Sequence, residues 1–267
     1  MRIDVAGLQI DNITVVQTLE KITQFVKSGR PHYLVTAYSE FVVEACKNPK
    51  YKAVLNNADL SLPDGIGILW AAKFLSQTKK DPFFTIIHWL VSLSQIVLAP
   101  KSLRLVIKEQ VTGSRLIYDI ASLAEQNGFS LALVGGFDDV AEQSAAVLKN
   151  KYPNLKINLA YNPVYFDERT VFRIAESKSD ILLIAYQPPK QEIWLAENLP
   201  QLNIKVAIGL GGTFDYLAGR RQPAPEVMHY LGLEWLWRLI TQPWRIKRMF
   251  RAIIVFSFLI LNYQLKK

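Results

Sequence analysis

Short apolar runs, each followed by a helix-patterned segment, recur along this 267-residue chain, and that alternation sets its fold class. The runs are HYLVTA, ADLSLP, FSLALVGG, LKINLAYN, DILLIAYQPP and IKVAIGLGG. Their apolar cores of about 5–7 residues are bounded by turn formers, and the segments between them carry helical spacing over roughly 10–15 residues. Continuous apolar strands are strands buried on both faces. The expectation is therefore α/β: a mainly parallel, Rossmann-like sheet with helices on both faces. Local signals agree. MRIDVAGLQIDNIT reads as two short strands and a turn, Thr14 can cap the first helix with Gly29 just past its end, and Gly128 closes a later helix.

In such sheets ligands lie beyond the carboxyl ends of the strands. The unusual residues fall there: Thr36, Asp64, Gly135-Gly136, Tyr161-Asn162, Gln187 and Gly209 to Gly212. In LSLPDGIGIL, proline and glycine build a turn around Asp64, which local rules leave open as either a helix cap or a chemical group. LVGG and GLGGTFD are two glycine-rich strand ends that together suggest a nucleotide, since glycine lets backbone N–H groups approach phosphate. A tight turn explains LVGG equally well, and Asp138 and Asp139 would repel phosphate there. In YQPPKQEIW, Gln191 is a candidate for the ligand edge, while Glu192 reads as an acid favouring the helix dipole.

Charge is unevenly placed. The chain carries 31 Lys+Arg and 23 Asp+Glu, and seven of the bases but no acid lie in residues 235–267. Those bases are interleaved with Trp235, Trp237, Trp244, Phe250, Phe256 and Phe258, a combination suited to lipid headgroups or to nucleic acid, with lipid preferred. An α/β core over 1–234 is thus expected, with a basic, aromatic helical tail over 235–267. An apolar insertion at about 77–102 is set for a helix on a protein or membrane surface. The single Cys46 gives neither a disulfide nor a thiolate cluster and fits a reducing compartment. MRIDVAGLQIDN carries no signal-peptide pattern. G-x-S-x-G, HExxH, P-loop and D-x-D patterns are all missing, and His32, His88 and His229 read as structural.

In chain order, ADLSLPDGIGILWAAKFL, LVGG, YQPPKQEIWLAENLP, GLGGTFDYLAG and LGLEWLWRLITQPWRIKRMF resemble the WecG/TagA/CpsF glycosyltransferase family over nearly the whole length. The resemblance implies an inverting, metal-independent enzyme. It would move a sugar such as N-acetylmannosamine from a UDP-sugar to a polyprenyl-diphosphate-linked sugar at the cytoplasmic face of the plasma membrane, in cell-surface polysaccharide synthesis. By match, Asp64 is the base, and Thr36 and Gln191 join it in the catalytic site. Arg238, Arg245 and Arg248 contact the diphosphate and acceptor, and Gly135, Gly136, Tyr161, Gly211, Gly212 and Asp215 lie at the nucleotide-sugar. No cofactor is expected beyond the donor substrate, the membrane surface is a partner, nucleic acid is not, and self-association is left open. The chain departs from the family pattern at Tyr38, where Asn is expected, at Gln110 in place of Arg, and at Arg115 in place of Asp. The alternative is a nucleotide-sugar-binding or assembly protein of the same fold with impaired catalysis.

Overall fold

Six parallel strands form the central sheet in the order β4-β3-β8-β7-β5-β6. They are β3 (His32–Ala37), β4 (Leu60–Pro63), β5 (Ser130–Gly135), β6 (Lys156–Tyr161), β7 (Ile181–Ala185) and β8 (Val206–Gly209). The computed structural model describes residues 1–77, 81–231 and 233–266; the side chains of His229, Tyr230 and Arg245 lie outside the described set. The readings for Arg245 and His229 therefore fall outside the described residues.

Helices cover both faces, as the apolar strand runs require. One face carries α2 (Ser39–Ala45), α3 (Pro49–Asn56), α4 (Ile66–Leu75), α8 (Glu168–Glu176) and α9 (Lys190–Asn198) over Tyr33, Val35, Val134 and Ile184. The other carries α1 (Val15–Ser28), α6 (Gly113–Asn127), α7 (Val140–Lys151) and α10 (Thr213–Leu217) over Leu34, Leu62, Leu133 and Ile208. Alternate residues of one strand thus feed two cores.

A hairpin of β1 (Arg2–Val5) and β2 (Leu8–Asp11) pairs in antiparallel register around Ala6-Gly7, both at positive φ as a type I′ turn demands. It lies against the β4 edge, where the Ser61 N–H donates to Asp11 Oδ2 at 2.9 Å. Helix α1 begins in a capping box between Thr14 and Gln17 and ends at left-handed Gly29, while α6 ends at left-handed Gly128. The caps expected from the sequence are therefore present.

The apolar stretch expected on a protein or membrane surface forms α5 (Pro82–Leu98), packed on α4. The last part comprises α11 (Glu226–Tyr230), α12 (Glu234–Thr241) and α13 (Ile246–Phe250), then a π-helical turn (Arg251–Val255) leading into α14 (Phe256–Lys266). Pro243 separates α12 from α13, as expected of a residue that cannot continue a helix. The stretch Ile246–Lys266 is long and apolar enough to cross a membrane by length and composition. Yet Phe256, Ile260 and Leu261 are buried in the same core as Trp70 and Phe74, so one side of this helix belongs to the protein body.

Candidate active site

Strand order decides what can meet at the carboxyl edge. Strand β5 leads through α7 to β6 on one side, and β7 leads through α9 to β8 on the other, so a crevice opens between their ends. With strands about 4.8 Å apart, Gly209 on β8 lies about 10 Å along this edge from Asp64 after β4, Gly135 about 19 Å, and Tyr161 about 24 Å. Thr36, Asp64, Gln191, Gly211 and Gly212 thus fall at one end, and Gly135-Gly136 further along. Tyr161 sits at the far edge, its ring under the Arg173 guanidinium at 4.2 Å.

Asp64 follows the strand end, its N–H donating to Ala37 O at 2.9 Å. The N-cap of α4 is Gly65, at φ +94°, and not the aspartate. The half-buried carboxylate lies within Coulombic reach of Arg238 and Tyr38. Thr36 is buried, and its hydroxyl donates to Gly209 O at 3.0 Å, tying β3 to β8.

Gln191 braces the next strand ends. Its Oε1 accepts from Tyr186 N at 2.9 Å and Gly211 N at 3.2 Å, while Nε2 donates to Glu192 Oε1 at 2.6 Å. Glu192, 1% exposed, also accepts from the Tyr51 hydroxyl at 3.2 Å. Burial lifts its pKa to about 7 against the opposing pull of those hydrogen bonds. The sequence suggests an acid favouring a helix dipole; the structure buries it in a network, because α9 turns this position onto α3.

The glycines differ in their reasons. A Cβ on Gly135 would stand 2.2 Å from Ala185 O, so β7 approaches too closely for any side chain there. At φ +53°, Gly211 faces open space. Asp215 pairs with Arg221 at 3.0 Å. Asp138 and Asp139, expected to repel phosphate, are instead held by Arg220 at 2.9 and 2.5 Å.

Several groups at this edge carry no obvious sequence signal. The α6 N-terminus is anchored beside the β4 end, since Val111 N donates to Pro63 O at 2.8 Å, and Gly113 packs against Leu210 and Thr213. With α2, α4 and α10, it brings positive helix ends to the carboxyl edge, where anions are favoured. Among the described residues, the buried polar atoms without a hydrogen-bond partner include Thr112 Oγ1, Tyr216 Oη, Trp235 Nε1 and Gln242 Oε1. Thr112 occupies the N-cap position of α6 without a side-chain cap bond, Tyr216 lies in α10, and Trp235 shares one face of α12 with Arg238. Leaving such groups unpaired is costly, and those of Thr112 and Tyr216, on α6 and α10, are available to a polar ligand.

The tail supplies the cations. Arg238 is held by Glu234 at 3.5 Å and lies 5.8 Å from the Tyr216 ring centre. Burial opposes its charge, but Tyr216, Glu234, Asp64 and Tyr38 outweigh that and raise its pKa. Arg248 reaches back to Glu40 and to the hydroxyl of Tyr38 at 3.0 Å, so the tyrosine in the expected asparagine position serves as a tail contact. Arg115, by contrast, is exposed and acts on Asp119 within its own helix.

A parallel α/β sheet whose carboxyl edge gathers a carboxylate, helix N-termini and arginines has the make-up suited to an anionic ligand. Residues 3–95 and 90–267 match the model of the glycosyl transferase WecG/TagA/CpsF family; the chain belongs to that family and is a glycosyltransferase. Similar proteins include the N-acetylglucosaminyldiphosphoundecaprenol N-acetyl-beta-D-mannosaminyltransferases of Staphylococcus aureus strains MRSA252 and NCTC 8325 / PS 47. Each is 27% identical over 262 residues, covering 96% of this chain and 91% of the relative.

Proposed function

We propose that this chain transfers N-acetylmannosamine or a close relative from a UDP-sugar to a polyprenyl-diphosphate-linked sugar, with inversion and without a metal. The reaction belongs to cell-surface polysaccharide synthesis, on the cytoplasmic face of the membrane, where the protein attaches peripherally. The observation that carries the reading is the grouping of Asp64, the α6 N-terminus with its unpartnered Thr112 hydroxyl, and Arg238 at one end of the sheet edge. The acceptor class is that named for the relatives.

Asp64 accepts the proton of the acceptor hydroxyl as its oxygen bonds to the anomeric carbon. The bond from that carbon to the diphosphate oxygen breaks, and its electron pair leaves on UDP. Arg238, Arg245 and Arg248, with the N–H groups of the helix ends, meet the charge that develops on the diphosphate. Gln191 and Thr36 hold the strand ends in register, and Gly135, Gly136, Gly211, Gly212, Tyr161 and Asp215 form the edge along which the nucleotide extends. The tail, lying on the membrane, completes the site where the lipid acceptor is found.

The test is UDP release from a panel of UDP-sugars with N-acetylglucosaminyl-diphospho-undecaprenol, the product identified by mass spectrometry. Turnover with one donor, lost in Asp64→Asn while UDP binding persists, supports the reading. Near-normal turnover by Asp64→Asn would remove the base assignment. UDP binding with no release from any donor would favour the impaired binding protein.

A further inference from the structure

Helix α5 is built inside out. Its protein-facing positions include Thr85, His88, Trp89, Ser92 and Gln95, and their polar groups are used within the fold. The Trp70 Nε1–H donates to Ser92 Oγ at 3.0 Å, Trp89 Nε1–H to Ser257 O at 3.1 Å, and Lys73 to Gln95 Oε1 at 2.8 Å, while His88 stacks on Phe74. Apart from Ser94, the exposed positions from Phe83 to Leu98 are apolar; Phe84 is 60% exposed and Leu90 56%, against 7% for Trp89 and 5% for Ser92. A helix on a water-facing surface has the opposite polarity.

We infer that this outer face enters the lipid of an anionic membrane leaflet, as a contact separate from the basic tail. Charge identifies the occupant. Residues 82–108 contain no acid, and the exposed Lys101, Arg104 and Lys108 follow the helix. On its other side α5 meets α14, where the half-exposed Phe258 lies 5.0 Å from the Trp89 ring; exposed Lys247, Arg251 and Lys266 lie on the same tail. An apolar strip followed by exposed cations matches acyl chains below anionic headgroups. A second copy seated on it would set cations against cations. The inference rests on the helix's polarity, and its test contains no sugar donor or acceptor, so it stands or falls apart from the proposed reaction.

The full chain carrying Cys46→Ser and Leu90→Cys is labelled with an environment-sensitive fluorophore and mixed with vesicles of equimolar phosphatidylglycerol and phosphatidylethanolamine. The same label at Lys149→Cys, on α7, serves as the reference. The expected result is a blue-shifted, brighter probe at position 90 and an unchanged one at 149. In co-sedimentation with the same vesicles, the unlabelled double variant Phe84→Asp/Leu90→Asp should partition at least roughly tenfold less than the unaltered chain, since two buried apolar side chains are lost. A probe at 90 that stays unshifted on vesicle-bound protein overturns the inference, as does undiminished partitioning of the double variant. A blue shift that grows with protein concentration in lipid-free buffer overturns it in favour of a second copy.

Discussion

Arg248 grips Glu40 across 208 residues of chain, with Nη2 at 2.7 Å from Oε2 and Nε at 3.2 and 3.1 Å from the two carboxylate oxygens. The contact joins the tail to the start of α2, one strand away from Asp64. Burial opposes the charge of Arg248, and the bonds from Glu40 and Tyr38 more than restore it, lifting its pKa above the ordinary arginine value. Because the side chains remain partly exposed, the pair is worth about 1 kcal/mol. Glu40→Gln or Arg248→Ala should therefore leave the melting temperature nearly unchanged while speeding proteolysis around residue 243. In the combined variant the two effects should not add, as limited proteolysis of all three proteins would show.

Glu192 predicts a pH signature. Its folded carboxyl keeps a proton up to about pH 7, whereas in the unfolded chain it loses it near the ordinary glutamate value of 4.5. Between those values the native state binds more protons than the unfolded one, so stability falls as pH rises and levels off above the folded pKa. The contribution lost is about 3 kcal/mol. Glu192→Gln should abolish that decline, so denaturant titrations across the window should show the two proteins' stabilities diverging as pH rises.

Gly209 and Gln191 should be energetically coupled. A Cβ on Gly209 would lie 2.3 Å from Gln191 Nε2, and Gln191 cannot swing aside without breaking its bonds to Tyr186, Glu192 and Gly211. Gly209→Ala should cost about 1–3 kcal/mol, typical of overpacking. In a Gln191→Ala background the same change should cost clearly less, which a double-mutant cycle by urea unfolding would measure.

Lys247 and Arg251 are exposed on the acid-free tail. At about 1 kcal/mol per base near an anionic surface, Lys247→Ala/Arg251→Ala should lower partition onto phosphatidylglycerol vesicles roughly thirtyfold at low salt, and less at high salt. Vesicle co-sedimentation over a salt series checks both.

Elements whose signals are local were legible in the sequence. The capping box at Thr14, the left-handed glycines at 29 and 128 and the six apolar runs each depend on residues within a turn or a strand. What escaped reading depends on pairs far apart in the chain. Glu192 needs Tyr51, 141 residues away, to be seen as buried rather than solvated. Thr112 and Tyr216 become notable only once the strand order sets α6 and α10 at one edge. Polar interruptions in the apolar helix α5 do not reveal which side the protein occupies, so its direction is not legible in the sequence. The strand ends are legible from the runs that precede them, but the spread that separates Tyr161 from Asp64 depends on strand order.

The helix ends at the sheet edge have a practical consequence. In the proposed reaction, part of what would meet the ligand there is main chain, around Gly65, Gly113 and Gly211, and an alanine scan leaves peptide N–H groups in place. Such a scan would credit the arginines and the aspartate and miss the amides. Replacing single backbone amides by esters at the first turns of α4 and α6 would delete those donors one at a time and count them directly.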